Sequence, residues 1–176
     1  MMAQSKDFQK KIDRLKNIAL FKAFADSTEA MEKIAQLFTT VSVGKDHVVI
    51  AEGEEGDELY VIKSGTVIIE KKTMQGDSYT VIELKAEDNV FFGEIALLDP
   101  DKRSATVICK TDCEFYVLSR EKFIKLGDES PPIGLHVTRE LTRIVCNRIR
   151  KANSDIITLF DALVEEMAES EGMGER

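Results

Sequence analysis

The spacing of apolar residues divides the chain into three zones, and the first, residues 1–38, predicts two helices. One is expected over Asp7–Leu20, where apolar residues recur at helical intervals. The second is expected to start near Asp26, because Glu29 three residues later completes a capping-box pattern. We therefore expect a helical segment before the main body of the domain.

The second zone, residues 39–126, predicts short strands separated by glycine-rich and acidic turns. Alternation of apolar and polar residues between such turns is typical of half-buried strands. The predicted strands cover residues 40–43, 47–50, 58–63, 65–71, 79–84, 89–92, 105–109 and 114–118. Strands at this spacing predict a mainly β sandwich or jelly-roll barrel. A short helix over Arg120–Leu126, ending at Gly127, is expected to follow.

The third zone, residues 127–176, predicts one long helix from Ile133 to about Ser170, after a break at Pro131 and Pro132. Its apolar residues repeat alternately every three and four positions, which is the heptad seam of a coiled coil. The seam comprises Val145, Ile149, Ala152, Ile156, Leu159 and Leu163, and Glu166 interrupts it. Such a seam predicts a parallel homodimer, and the alternative is a single helix lying on its own barrel.

Composition and charge narrow the classes of partner and compartment. Hydrophobic residues make up 43% of the chain and charged residues 32%, which suits one globular domain with a core. The net charge of −8 disfavours binding to nucleic acid or to an anionic membrane. Without a signal sequence or a membrane-length apolar run, the chain is expected to be cytoplasmic. Cys109, Cys113 and Cys146 fit a reducing compartment and predict neither a disulfide framework nor a zinc site.

An acid and an arginine stand out in a segment that otherwise has the pattern of an apolar strand. Glu94 follows Gly93, and Arg103 lies nine positions after Glu94. An apolar core does not accommodate two such charges without partners, so a ligand with a sugar hydroxyl and a phosphate is indicated. Arg103, with Ser104 beside it, can bind phosphate through paired hydrogen bonds, and Glu94 can accept one from a ribose 2′-hydroxyl. A cyclic nucleotide fits this geometry, and the alternative is a buried ion pair between Glu94 and Arg103.

The segment Phe92–Val107 closely resembles the phosphate-binding cassette of cyclic nucleotide-binding domains. These domains occur in catabolite-activator regulators, cyclic-nucleotide-gated channels and regulatory subunits of cyclic-nucleotide-dependent kinases. The resemblance implies a mainly β fold with flanking helices, built on an eight-stranded double-stranded β-helix, or jelly-roll, barrel. It also implies that Glu94 binds the ribose and Arg103 the cyclic phosphate. The same pocket would be lined by Gly93, Ile95, Ala96, Ser104 and Ala105.

The resemblance does not determine which base is bound or how the signal leaves the domain. Ser104 suits either purine, and we expect cAMP, with cGMP as the alternative. Related regulators place a lid over the base on the long helix, which makes Arg148 and Asn153 candidates here; the alternative is that both are solvated residues beside the seam. Such regulators continue past the long helix into a helix-turn-helix domain, whereas only an acidic tail, Glu165–Arg176, is expected here.

Other functions are disfavoured by the residues that they would need. A cupin-like metal enzyme needs clustered imidazoles, whereas His47 and His136 lie in different zones. A DNA-binding role would rest on a basic run without a recognition domain, formed by Arg139, Arg143, Arg148, Arg150 and Lys151. A module that has lost its ligand is disfavoured because both charges of the cassette are present.

We therefore expect a non-catalytic, cytoplasmic sensor that binds cAMP and no metal and that signals to an unidentified effector protein. A cGMP sensor, or a transcription-regulator-like protein without its DNA-binding domain, is the alternative. The expected organisation is a helical segment over 1–38, a binding barrel over 39–126 with its cassette at 92–107, and a lid and dimerisation helix over 127–176.

Overall fold

Eight strands and five α-helices are present in residues 2–99 and 102–173, the part of the chain that the computed structural model describes. The helices are α1 (Met2–Leu15), α2 (Thr28–Leu37), α3 (Ile95–Leu98), α4 (Arg120–Glu129) and α5 (Pro131–Met173). The strands are β1 (Thr39–Val43), β2 (Val48–Ile50), β3 (Glu58–Ser64), β4 (Thr66–Lys72), β5 (Ser78–Lys85), β6 (Phe91–Phe92), β7 (Thr106–Cys109) and β8 (Cys113–Ser119). The predicted set of eight strands is confirmed.

The strands form two four-stranded antiparallel sheets, ordered β1-β8-β3-β6 and β2-β7-β4-β5. Strand β6 is shorter than predicted, because Asn89 adopts a left-handed conformation (φ 53°) at the end of a short helical turn over Ala86–Asp88. The mainly β fold with flanking helices is therefore confirmed. Within the described ranges no strand pairing joins the two sheets, so closure into one barrel stays a prediction.

The core lies where side chains of both sheets meet. Its aromatic centre is a group of three rings in which Tyr60 stacks on Phe92 at 5.2 Å between ring centroids. Phe115 meets both rings edge-on, at 5.9 Å and 5.7 Å. Ile50, Val67 and Val107 contribute to the same cluster from the second sheet. This packing anchors Phe92, the residue before Gly93, and so fixes where the candidate cassette begins.

Helices α1 and α2 pack against each other, and an arginine of α1 joins them to the first sheet. Arg14 of α1 donates from Nη1 to Asn89 Oδ1 at 2.9 Å and from Nη2 to the Ile62 carbonyl at 2.7 Å. Burial lowers the pKa of Arg14, but these acceptors satisfy the guanidinium. The predicted start of α2 is wrong by one residue, because Ser27 rather than Asp26 caps the helix and accepts a hydrogen bond from the Ala30 amide.

The junction between α4 and α5 also differs from the sequence prediction. Helix α4 does not end at Gly127 but continues to Glu129, and α5 begins at Pro131. Proline is tolerated in the first turn of a helix, because the backbone N–H that it lacks would have no acceptor within the helix. A Cβ at Gly134 would lie 2.5 Å from Gly127 Cα, so these two glycines allow close helix packing. Gly127 thus serves a contact rather than a helix end.

The chain divides into two compact units, one ending at Leu141 and one starting at Thr142. In the second unit, the described side chains belong to α5 as far as Met167. Four residues of the predicted seam are 55–66% exposed: Ile149, Ile156, Leu159 and Leu163. None of the helices in the described ranges is both long enough and apolar enough to cross a bilayer.

A candidate ligand cassette around Gly93, Glu94 and Arg103

Gly93 connects β6 to α3 in a conformation that only glycine adopts without strain. Its φ is +75°, and a Cβ there would lie 2.7 Å from the Glu58 carbonyl oxygen and 2.9 Å from Arg103 Nη1. The Ala96 amide donates to the Gly93 carbonyl at 3.3 Å, so the turn leads directly into the short helix. Glycine at this position therefore lets the β6–α3 turn and the arginine lie against each other.

Glu94 is the one charged residue that is buried among those whose side chains are described, with 2% of its surface exposed. It stands immediately before α3, and its carbonyl accepts a hydrogen bond from the Leu97 amide at 3.1 Å. None of the ion pairs found between described residues joins Glu94 to Arg103. A buried carboxylate next to a tight glycine turn is a suitable acceptor for a ligand hydroxyl.

Arg103 is held in place by its backbone and by one nitrogen of its side chain. Its amide donates to the Glu54 carbonyl at 2.8 Å, and its carbonyl accepts from the Gly53 amide at 2.9 Å. Nη1 donates to the carbonyls of Glu58 at 2.9 Å and Gly93 at 3.3 Å. Within the described residues, the side-chain hydrogen bonds of Arg103 use Nη1 alone. The Nε–Nη2 edge, the edge that binds an anion through two parallel hydrogen bonds, therefore retains its donors.

Gly56 shapes that edge of Arg103, and sequence reasoning did not include it in the site. A Cβ at Gly56 would lie 2.6 Å from Arg103 Nη2 and 2.8 Å from Cζ. Any side chain at this position would therefore collide with the guanidinium. The glycine-rich acidic turn was visible in the sequence, but which of its glycines touches the arginine depends on how the turn folds back.

Tyr60 supports the strand that holds Arg103. Its hydroxyl donates to Glu58 Oε2 at 2.5 Å, and its ring stacks on Phe92. Burial, and secondarily the Glu58 carboxylate, raise the pKa of Tyr60 well above the usual value for a phenol. The hydroxyl thus remains a donor at neutral pH. It fixes the side chain of Glu58, whose carbonyl binds the arginine.

The structure brings most of the predicted site residues into one region. Ile95 is 40% exposed at the start of α3, whereas Ala96 beside it is buried. Ser104 is exposed and Ala105 half-buried in the segment that leads into β7. Arg148 and Asn153 are exposed residues of the second unit, and their role as a base lid stays a prediction.

The two histidines lie apart from the cassette. The His136 ring meets Phe24 edge-on at 5.1 Å, and His47 is exposed before β2. In the described part of the chain, no group of three or more His, Cys, Asp or Glu side chains is arranged to hold a metal ion.

Comparison with known proteins identifies the family that this part of the chain matches. Residues 40–130 match the model of the cyclic nucleotide-binding domain. A CRP-like cAMP-activated global transcriptional regulator of Mycobacterium tuberculosis is 27% identical over 74% of this chain and 56% of its own length. A cAMP-dependent protein kinase regulatory subunit of Yarrowia lipolytica is 39% identical over 53% of this chain and 24% of its own length.

A solved structure agrees with these relatives. The Thermus thermophilus catabolite activator protein superposes with a TM-score of 0.71 at 26% identity, over 80% of this chain and 62% of its own. The matches to the curated relatives thus span about half of the regulator and a quarter of the kinase subunit. The family match includes the Gly93–Arg103 region. The chain therefore belongs to the cyclic nucleotide-binding domain family.

Proposed function

We propose that this protein is a non-catalytic sensor that binds cAMP at the cassette and passes a rearrangement of its helices to a partner protein. The observation that carries the proposal is Arg103, whose Nη1 is fixed by two carbonyls while its Nε–Nη2 edge retains its donors. An arginine positioned in this way is prepared for a phosphate before the ligand arrives, which lowers the entropy cost of binding.

Each charged residue of the cassette has a distinct role in this proposal. Arg103 binds the cyclic phosphate through two charge-assisted hydrogen bonds, a geometry that lysine does not reproduce. Glu94 accepts a hydrogen bond from the ribose 2′-hydroxyl, which lies close to the cyclic phosphate in this class of ligand. Gly93, Ile95, Ala96, Ser104 and Ala105 line the same pocket, and Arg148 and Asn153 are the candidates to cover the base. The relatives named above are a cAMP-activated regulator and a cAMP-dependent kinase subunit, which favours cAMP over cGMP.

The output of the proposed sensor passes through the long helix. The exposed seam residues of α5 support a parallel homodimer, with Ile149 and Ile156 at one heptad position and Leu159 at the other. A ligand that prefers one arrangement of the helices a hundredfold moves that equilibrium by about 2.7 kcal/mol. That free energy is sufficient to change which surface of the helix a partner meets.

Calorimetric titration with cAMP, cGMP and 5′-AMP tests the proposal. We expect cAMP to bind, cGMP to bind more weakly and 5′-AMP to bind weakest, because its phosphate is not held close to the ribose by a ring. Absence of heat with either cyclic nucleotide, while circular dichroism shows a folded protein, would refute the sensor.

Two variants test the separate roles of the charges. Arg103→Lys should weaken cAMP binding about 100-fold, since it removes the paired hydrogen bonds to phosphate. Arg150→Lys makes the same substitution at an exposed arginine of α5 and should leave the affinity unchanged. Glu94→Gln should weaken cAMP more than it weakens 2′-deoxy-cAMP, and equal losses for the two ligands would remove Glu94 from the ribose.

A further inference from the structure

The distal part of α5 carries a second apolar stripe beside the predicted seam. Its members are spaced by three, four and three residues and are at least half exposed: Ile157 62%, Phe160 64%, Val164 50% and Met167 63%. Each of them follows a seam position by one residue, which places it about 100° further around the helix. From residue 156 to residue 167, two stripes of heptad period therefore lie side by side.

A two-stranded coiled coil does not cover this second stripe. If Ile156 and Leu159 occupy the a and d positions, Ile157 and Val164 occupy b, which faces away from the partner helix. Phe160 occupies e, at the edge of the dimer interface. The stripe is thus continuous with the proposed interface but remains open to a further helix after the dimer has formed.

The stripe is confined to the distal part of the helix. One heptad before Ile157 the b position is Arg150, and one heptad before Phe160 the e position is Asn153. An apolar face that continued the seam would not change to polar residues at this point. The change marks a local docking surface of roughly three helical turns, formed by Ile157, Phe160, Val164 and Met167.

Charge indicates which kind of helix fits there. Between residues 152 and 173 the chain has no lysine or arginine and six acidic residues, Asp155, Asp161, Glu165, Glu166, Glu169 and Glu171. Asp161 occupies the f position, directly beside the b positions of the stripe. A helix with an apolar stripe flanked by lysine or arginine complements this surface, whereas an anionic lipid surface is repelled by it.

We propose that this second stripe docks a basic amphipathic helix of a partner protein. The inference rests on the proposed function, because it names the chemistry of the partner that receives the signal. A third or fourth copy of this chain is a poorer occupant, since its own distal segment would bring a second set of acidic flanks against the first.

The test uses the full-length chain and a fluorescent synthetic helix with a leucine stripe flanked by lysine. Fluorescence anisotropy should show saturable binding that weakens with added salt, and the same leucine stripe flanked by glutamate should not bind. Phe160→Ala should weaken the basic peptide about 30-fold, because a central aromatic residue typically dominates such an interface. Thr158→Ala, at position c and at least about 100° around the helix from every member of the stripe, is the matched control and should have no effect.

A charge-reversal variant distinguishes charge-complementary docking from nonspecific apolar binding. Asp161→Lys should weaken the lysine-flanked peptide and strengthen the glutamate-flanked one, whereas unchanged binding of both peptides would show that the contact is purely apolar and would overturn the charge argument. Equal binding of both peptides to the unaltered chain, or a concentration-dependent tetramer that Phe160→Ala abolishes, would overturn the proposal.

Calorimetry with cAMP on the same Phe160→Ala protein should show unchanged affinity. A chain that binds the peptide but not cAMP would refute the sensor alone.

Discussion

The two-sheet region buries its large apolar residues, whereas the distal part of α5 exposes residues that are equally apolar. Phe115 and Ile62 have none of their surface exposed, whereas Ile156, Leu159 and Phe160 are each more than 60% exposed. A strand buries its apolar face against the opposing sheet of the same chain, but a lone helix has no such partner. The first region therefore buries its apolar residues within the chain, and we propose that the second is completed by another helix.

The largest expected effect tests this difference directly through stability. Phe115→Ala removes a ring from the aromatic centre and should lower the free energy of unfolding by about 3–5 kcal/mol. Leu159→Ala, in dilute protein, should change it by less than about 0.5 kcal/mol, because the side chain is already in water. Urea denaturation followed by circular dichroism measures both. Similar losses for the two variants would mean that Leu159 is buried in solution.

Two glycine variants with a smaller expected effect distinguish steric crowding at the cassette from backbone strain. Gly93→Ala and Gly76→Ala both place a side chain at positive φ, which costs about 1–2 kcal/mol in each case. Only Gly93 also has atoms in the way, since a Cβ at Gly76 would meet nothing within 4 Å. Gly93→Ala should therefore lose about 1–3 kcal/mol more, and it should lose cAMP binding as well.

Denaturation and calorimetry on the same preparations check that pair of glycine variants. If Gly76→Ala proves as costly as Gly93→Ala, the close approach of Gly93 to Glu58 and Arg103 is not what requires the glycine. Backbone conformation alone would then account for the cost of both substitutions.

High pH should lower the unfolding free energy of the two-sheet region, which contains both of the tyrosines with raised pKa values. Burial is the main cause of the raised pKa of Tyr60 and of Tyr116. The stability that each contributes is full below pH 10.0, the value for an unperturbed phenol, and is lost as the pH rises toward the folded-state pKa. Tyr60→Phe should flatten the fall in unfolding free energy across this range, as a series of urea denaturations would show. An unchanged slope would mean that Tyr60 titrates normally.

The smallest effect concerns the thiols. Burial, together with Cys113, raises the pKa of Cys109 to about 12, and both of these thiols are buried, whereas Cys146 is half-buried. A thiol reagent at neutral pH should therefore modify Cys146 first, and Cys109 and Cys113 only as the two-sheet region unfolds. Mass spectrometry over time checks the order. Cys146→Ser should remove the fast phase, and rapid labelling of Cys109 would indicate that the sheets open.

The elements of this fold were predictable because their signals are local. Alternation between glycine turns located all eight strands, and heptad spacing located the long helix. The errors came at boundaries where a tertiary contact decides the outcome. Gly127 was expected to end a helix, but it lies inside α4, where Gly134 packs against it. Ser27 rather than Asp26 caps α2, a choice between two good capping residues that sequence spacing alone does not make.

The candidate site divides in the same way. Gly93, Glu94 and Arg103 were identified from chemistry, because two charges in an apolar pattern require partners. Gly56 was not identified, since its role depends on a turn folding back over the arginine. The supporting hydrogen bond from Tyr60 to Glu58 was also invisible in the sequence, where both residues are typical of an ordinary strand.

By itself the sequence determined which elements form and which residues carry charge into an apolar region, because periodicity and desolvation act on the chain wherever it folds. Only the tertiary structure decided that Nη1 of Arg103 is bound by the carbonyls of Glu58 and Gly93 while its other edge retains its donors. Those carbonyls lie 45 and 10 residues away along the chain. Hydrogen bonds over such separations depend on how sheets and turns pack, and no local pattern encodes that packing.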